Sequence, residues 1–249
     1  MSRAMRSVLR FLIALFVPGV FACAAHAALP IQHWTTPNGA RVYFVRADTI
    51  PMLDVSLGFD AGSRFDPAGR EGLASLVNAM LARGAAGLDE SAISEGFARL
   101  GAQRGGGVGD DRASVTLRTL ASEPELDEAI GLLARVVSRP EFPEAVLARE
   151  KERAIQAIRE AQTKPETIAQ RTLDRAMYGS HPYGAHAQPE SVAAIGRDDL
   201  VAFHRGYYDA RGAVVSMIGA ISRERAQAIA EQLTRDLPAG GASRAIGPV

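Results

Sequence analysis

An α+β fold, with a mixed or antiparallel sheet covered by helices on one side, is predicted by three features of this 249-residue chain. Strand patterns separated by turn signals come first, a run of helix-period segments follows, and one strand pattern returns late. That segregated order differs from the alternation of a doubly wound sheet. Residues 40–46 (ARVYFVR) are rich in β-branched and aromatic residues and follow the turn signal Pro37-Asn38-Gly39, so they predict a strand. Residues 52–59 alternate Leu53, Val55, Leu57 and Phe59, a second strand with one buried face, expected to pair with its neighbours through hairpins. Leu73, Leu76, Val77, Met80 and Leu81 recur at helical spacing and predict a helix over 73–83. Ile93, Phe97 and Leu100 do the same over 90–100, after a capping Asp89. Residues 114–120 alternate as a strand, and 126–137 form an amphipathic helix. A long helix spans 143–162, with Pro143 suited to its first turn. Further helices are expected over 166–177 and 197–207, a strand over 213–218 (AVVSMI) and a closing helix over 223–233. Residues 238–249 (PAGGASRAIGPV) are Gly/Pro/Ala-rich without periodicity and read as a linker or tail.

Composition is that of a globular protein, 47% hydrophobic and 22% charged, with a formal net charge of zero. Nothing in it favours nucleic acid or an anionic membrane surface. The first 27 residues read as an address. Arg3, Arg6 and Arg10 precede the apolar run FLIALFVPGVF, which is too short for an ordinary membrane span, and Ala25-His26-Ala27 is a small-x-small cleavage site. Cleavage after Ala27 and a periplasmic or secreted location are expected, leaving no integral membrane segment. A lipid anchor on Cys23 is the alternative, disfavoured by the bulky Phe21 two residues earlier. Cleavage after Ala27 leaves 25 basic against 28 acidic residues and no cysteine, so disulfides and thiolate metal sites are excluded. The mature unit is then 28–237, followed by the tail.

Residues 72–84, GLASLVNAMLARG, carry the most information. They resemble the zinc helix of the pitrilysin/insulinase-type metallopeptidases, the inverzincins that include mitochondrial-processing-peptidase-like proteins. That family has Gly-(Leu/Ile)-Ala-His-Phe-Leu-Glu-His-Met-Leu-x-x-Gly at this place. Gly72, Leu73, Ala74, Met80, Leu81 and Gly84 are kept, while Ser75, Asn78 and Ala79 stand at the three catalytic positions. Gly62-Ser63-Arg64 and Gly69-Arg70-Glu71-Gly72 resemble the family's approach to that helix. His181-Pro182-Tyr183-Gly184 resembles its His-Pro-(Leu/Tyr)-Gly turn, and Phe203-His204-Arg205-Gly206-Tyr207-Tyr208 its closing segment. The likeness spans about 30–237. It implies a metallopeptidase-like half unit, the N-terminal half of a two-half design.

A zinc site of this type needs two His one helical turn apart and a Glu as general base. Ser75 is a poor ligand, Ala79 is none, and Asn78 cannot accept a proton at neutral pH. The family's further carboxylate ligand falls at Gln156 or Ala157, neither of which is acidic. No cofactor is therefore expected, and no hydrolysis by the inherited mechanism. His33, His181, His186 and His204 are scattered and read as turn or surface residues. Glu150, Glu152 and Glu160 share their helix with Arg149, Lys151, Arg153 and Arg159 and read as a solvated ion-paired face. No Gly-x-Ser-x-Gly elbow is present. The run Gly105-Gly106-Gly107-Val108-Gly109 lacks the Gly-Lys-Ser/Thr ending of a phosphate loop. The resemblance places it instead on the edge strand that pairs with an extended peptide, at positions usually bearing Asn-Ala. Peptide binding there and a flexible hairpin without ligand are both open. The leading expectation is a non-catalytic subunit that pairs with a zinc-bearing subunit of the same family to bind and process peptides. The alternative is a stand-alone periplasmic peptide-binding or scaffold module.

Overall fold

The computed structural model describes residues 30–240 together with Arg244, Ala245 and Gly247. The expected leader, its cleavage after Ala27 and the Cys23 alternative lie outside the described residues. The strands are β1 (Gln32–Thr35), β2 (Arg41–Arg46), β3 (Met52–Phe59), β4 (Gly84–Ala85), β5 (Leu88–Asp89), β6 (Gln103–Val108), β7 (Ala113–Leu120) and β8 (Val214–Gly219). The helices are α1 (Leu73–Met80), α2 (Glu90–Arg99), α3 (Glu125–Ser138), α4 (Glu144–Ala161), α5 (Pro165–Tyr178), α6 (Pro189–Ala194), α7 (Arg197–Tyr207) and α8 (Arg223–Thr234).

Six strands form one mixed sheet in the order β1-β2-β8-β3-β7-β6. The period-2 patterns place one face of it against the helices. Val42 and Phe44, Leu53, Val55, Leu57 and Phe59, Val115 and Leu117, and Val215 and Met217 are all buried. Their alternates Tyr43, Ile218 and Leu120 are exposed on the opposite face. The helical side closes a single core, with α3 (Leu126, Ile130, Leu133, Val137) against α8 (Ile229, Leu233) and α1 against α7. Each fully buried aliphatic side chain contributes about 1.5–3 kcal/mol.

Two expectations need correction. β1 and β2 pair as a hairpin, but β2 and β3 do not, because β8 lies between them. It runs parallel to β2 (Val42↔Val215) and antiparallel to β3 (Leu57↔Val215). A parallel neighbour needs a long crossover, and the helical run between β7 and β8 supplies it. The helix expected over 73–83 stops at Met80, where the Arg83 amide bonds the Met80 carbonyl in a tight final turn. β1, the β4–β5 hairpin and α6 are short elements without a full period of their own, and the sequence pattern did not show them. α5 forms as expected, yet buries no residue and leaves Ile168, Leu173 and Met177 exposed. The described part of the tail is tied down, with Arg244 ion-paired to buried Asp209. No helix among the described residues is long and apolar enough to cross a membrane.

Candidate functional site: an emptied cleft beside an edge strand

The residues that the sequence singled out converge on α1. The helix starts because Gly72 adopts φ 104°, open to glycine at little cost. Asp66 then accepts from the Gly72 and Ala74 amides at 2.7 and 2.8 Å. These are N-terminal donors with no partner inside the helix. Burial pushes the Asp66 carboxyl up to about 6, while the amides of Ala74 and Gly72 pull the other way. Leu73, Ala74, Leu76, Val77 and Met80 turn into the core. Ser75 and Ala79 are exposed on the opposite stripe, and Asn78 is half-buried between the two.

Asn78 is committed to structure. Its Nδ2 donates to the Ser114 carbonyl on β7 at 3.1 Å and, at a longer 3.4 Å, to the Tyr208 hydroxyl. Tyr208 is fully buried, packed on Phe59 and His204 with ring centroids 4.8 and 5.1 Å away. Burial raises its hydroxyl pKa, so it stays protonated.

Ser75, Asn78 and Ala79 line a cleft of about 420 Å³ whose other wall is Arg104, Gly105, Gly106, Gly107 and Val108 of β6. The glycine run is therefore a strand, not a loop, and β6 is an edge of the main sheet. Gly106 is required there. At φ 146° an added Cβ would lie 2.3 Å from the Ser114 carbonyl oxygen. Gln156 and Ala157 are exposed on α4 and do not line this cleft. A zinc ion, implied at this place for the family's active members, does not fit the donors present. Ala79 has none, Ser75 offers only a hydroxyl, and Asn78 only a neutral amide oxygen. Among the described residues no group of three His, Cys, Asp or Glu is placed to hold a metal.

The histidine reading is corrected at one position. His204 is a core residue, not a surface one. Its Nε2 donates to the Val137 carbonyl at 2.8 Å, and burial pushes its pKa down to about 4. His186 sits 3.1 Å from Asp174 of α5, an acid distant in sequence. Glu150 is also not solvated. It is buried among Arg83, Arg149 and Arg153, at 3.7, 3.0 and 3.0 Å. Two of the quoted motifs, Gly62-Ser63-Arg64 and His181-Pro182-Tyr183-Gly184, meet at one acid, where Arg64 and the Tyr183 hydroxyl both bond Asp111 on the β6–β7 turn. Arg83 and Arg104, which give the cleft its charge, carried no signal in the sequence. A lone Arg before three glycines means little until strand register fixes its side.

Comparison with known proteins agrees with this geometry. The family model described as Insulinase (Peptidase family M16) matches residues 41–189. The "Uncharacterized zinc protease YmxG" of Bacillus subtilis is 24% identical over 194 residues, 77% of this chain and 47% of that protein. A crystal structure from Pseudomonas fluorescens, described as a peptidase M16 inactive domain, superposes with a TM-score of 0.84 at 40% identity, covering 88% of this chain and 53% of that one. A Helicobacter pylori protease superposes with a TM-score of 0.78 at 18% identity, covering 89% of this chain and 53% of that one. The chain thus spans about half the length of the relatives it matches.

Proposed function

The chain belongs to the insulinase peptidase family, and from that premise we propose that it is a non-catalytic unit. In this reading it binds extended peptides and pairs with a second, zinc-bearing unit of the same family that cleaves them. One observation carries this reading. The core stripe of α1 and the β6 edge keep their form, while the positions facing the cleft between them hold Ser75, Asn78 and Ala79. Loss of fold would be expected if nothing still depended on this surface. An edge strand presents unpaired backbone N–H and C=O groups, a template for strand addition by a peptide.

Pairing draws on a second feature. The sheet face away from the helices exposes Tyr43 and Ile218 at a shallow groove of about 740 Å³, with Leu120 also exposed on that face. Exposed apolar surface of this kind marks interaction sites. The occupant assigned to it is a second insulinase-family unit, since the matched relatives are about twice as long.

The reading is tested by isolating the chain from its native envelope with and without its associated proteins. The isolated chain is expected to hold no stoichiometric zinc and to cleave no peptide. The complex is expected to cleave peptides until a chelator is added, and Ile218→Asp to reduce recovery of the second unit without unfolding the chain. Chelator-sensitive cleavage by the isolated chain would refute the non-catalytic assignment. Recovery without any peptidase would favour a stand-alone scaffold.

A further inference from the structure

Arg104 sets the chemistry of the cleft. Strand register pairs it with Leu117, whose side chain is buried beneath the helices, so Arg104 shares that face of the sheet. It therefore stands across from Ser75, Asn78 and Ala79. Its neighbour Arg83 is occupied by Glu90 and Glu150. The Arg104 guanidinium has no hydrogen-bonding or ion-pair partner among the described residues, although most of the described arginine side chains do.

We propose that this cleft binds a carboxylate of an extended peptide laid along β6, with the Arg104 guanidinium as its anchor. The proposal rests on the peptide-binding reading above and names the class of peptide. Guanidinium and carboxylate match as a planar two-point pair, stronger than a neutral hydrogen bond. The Ser75 hydroxyl adds a donor on the facing wall, and Ala79 leaves room where a larger side chain would intrude. The glycines of β6 let a peptide backbone approach. Arg104 also has reason to gain a counter-ion. Burial, and then the Arg83 charge, pull its guanidinium below the ordinary arginine value, although the residue as a whole is exposed to solvent.

The carboxylate has two sources, the peptide's C-terminus or an Asp/Glu side chain. Fluorescence anisotropy on the full chain separates them with three labelled Ala/Ser peptides of one length. One ends in a free acid, one is amidated and neutral, and one is amidated with a single Glu. At least one acidic peptide is expected to bind about tenfold or more tighter than the neutral one, as for a hydrogen bond to a charged group. In Arg104→Leu that preference vanishes. Equal binding of all three by the wild type, or a preference that survives Arg104→Leu, overturns the proposal and leaves peptide binding standing. Failure of every peptide to bind overturns the peptide-binding reading itself. The wild-type comparison decides even without the variant.

Discussion

Asn78 ties α1 to the sheet. Its amide N–H donates to the Ser114 carbonyl, which can only accept. The family's Glu at this position would turn a carboxylate toward that carbonyl and leave the buried Tyr208 hydroxyl in altered company. Asn78→Glu alone is therefore expected to destabilise the chain by about 1–3 kcal/mol, the usual cost of an unmet buried polar group. A urea midpoint unchanged from wild type would show that the Asn78 bonds do not hold α1 to the sheet. Ser75 and Ala79 carry no such contacts, so the loss of the metal set has become fixed at one residue of three.

At the scale of the element, β6 is decided by backbone geometry. A strand of three consecutive glycines is weakened by chain entropy and lacks side chains to pack. Pairing with β7 over the full register from Gln103↔Arg118 to Val108↔Ala113 overrides that weakness. The glycines are unequal. Gly106→Ala places Cβ against the Ser114 carbonyl at a φ open to few L residues, whereas a Cβ at Gly107 meets nothing within 4 Å. Gly106→Ala is expected to cost about 1–3 kcal/mol and to speed amide exchange across β6 and β7, with Gly107→Ala nearly neutral. Equal protection in the two variants would mean that the close approach at Gly106 is relieved by slippage of the edge strand.

At the scale of the whole molecule, a buried histidine and a half-buried aspartate oppose one another in acid. His204 titrates near 6.5 when unfolded and at about 4 when folded. Between those values the unfolded chain takes up more protons, so this contribution to stability is full above 6.5 and lost as the pH falls toward 4. Asp66 titrates at 3.8 in its ordinary state and at about 6 when folded, so its contribution is full below 3.8 and lost as the pH rises through 6. Replacing His204 by Gln is expected to cost most stability at neutral pH. The deficit relative to wild type then narrows toward pH 4, by on the order of 3 kcal/mol for a shift of this size. Denaturant titrations at several pH values read this directly, and a constant deficit would show that His204 is not held neutral in the core.

The residues that line the cleft on α1 were legible in the linear chain, because helical spacing puts Ser75, Asn78 and Ala79 on one side of the helix, away from the core stripe. The strands β2, β3 and β7 and the helices α3, α4 and α7 were legible for the same reason: period 2 and period 3.6 are local properties of the chain. Insertion of β8 between β2 and β3, burial of His204, the pairing of His186 with Asp174 and the side of the sheet on which Arg104 stands were not. Each depends on contacts between segments far apart in sequence. Sequence determined which side chains α1 offers to the cleft, since residue identity at fixed helical spacing holds in any context where the helix forms. Only the tertiary structure decided what faces them, because an unpaired guanidinium facing an emptied helix arises from strand register and not from neighbours along the chain.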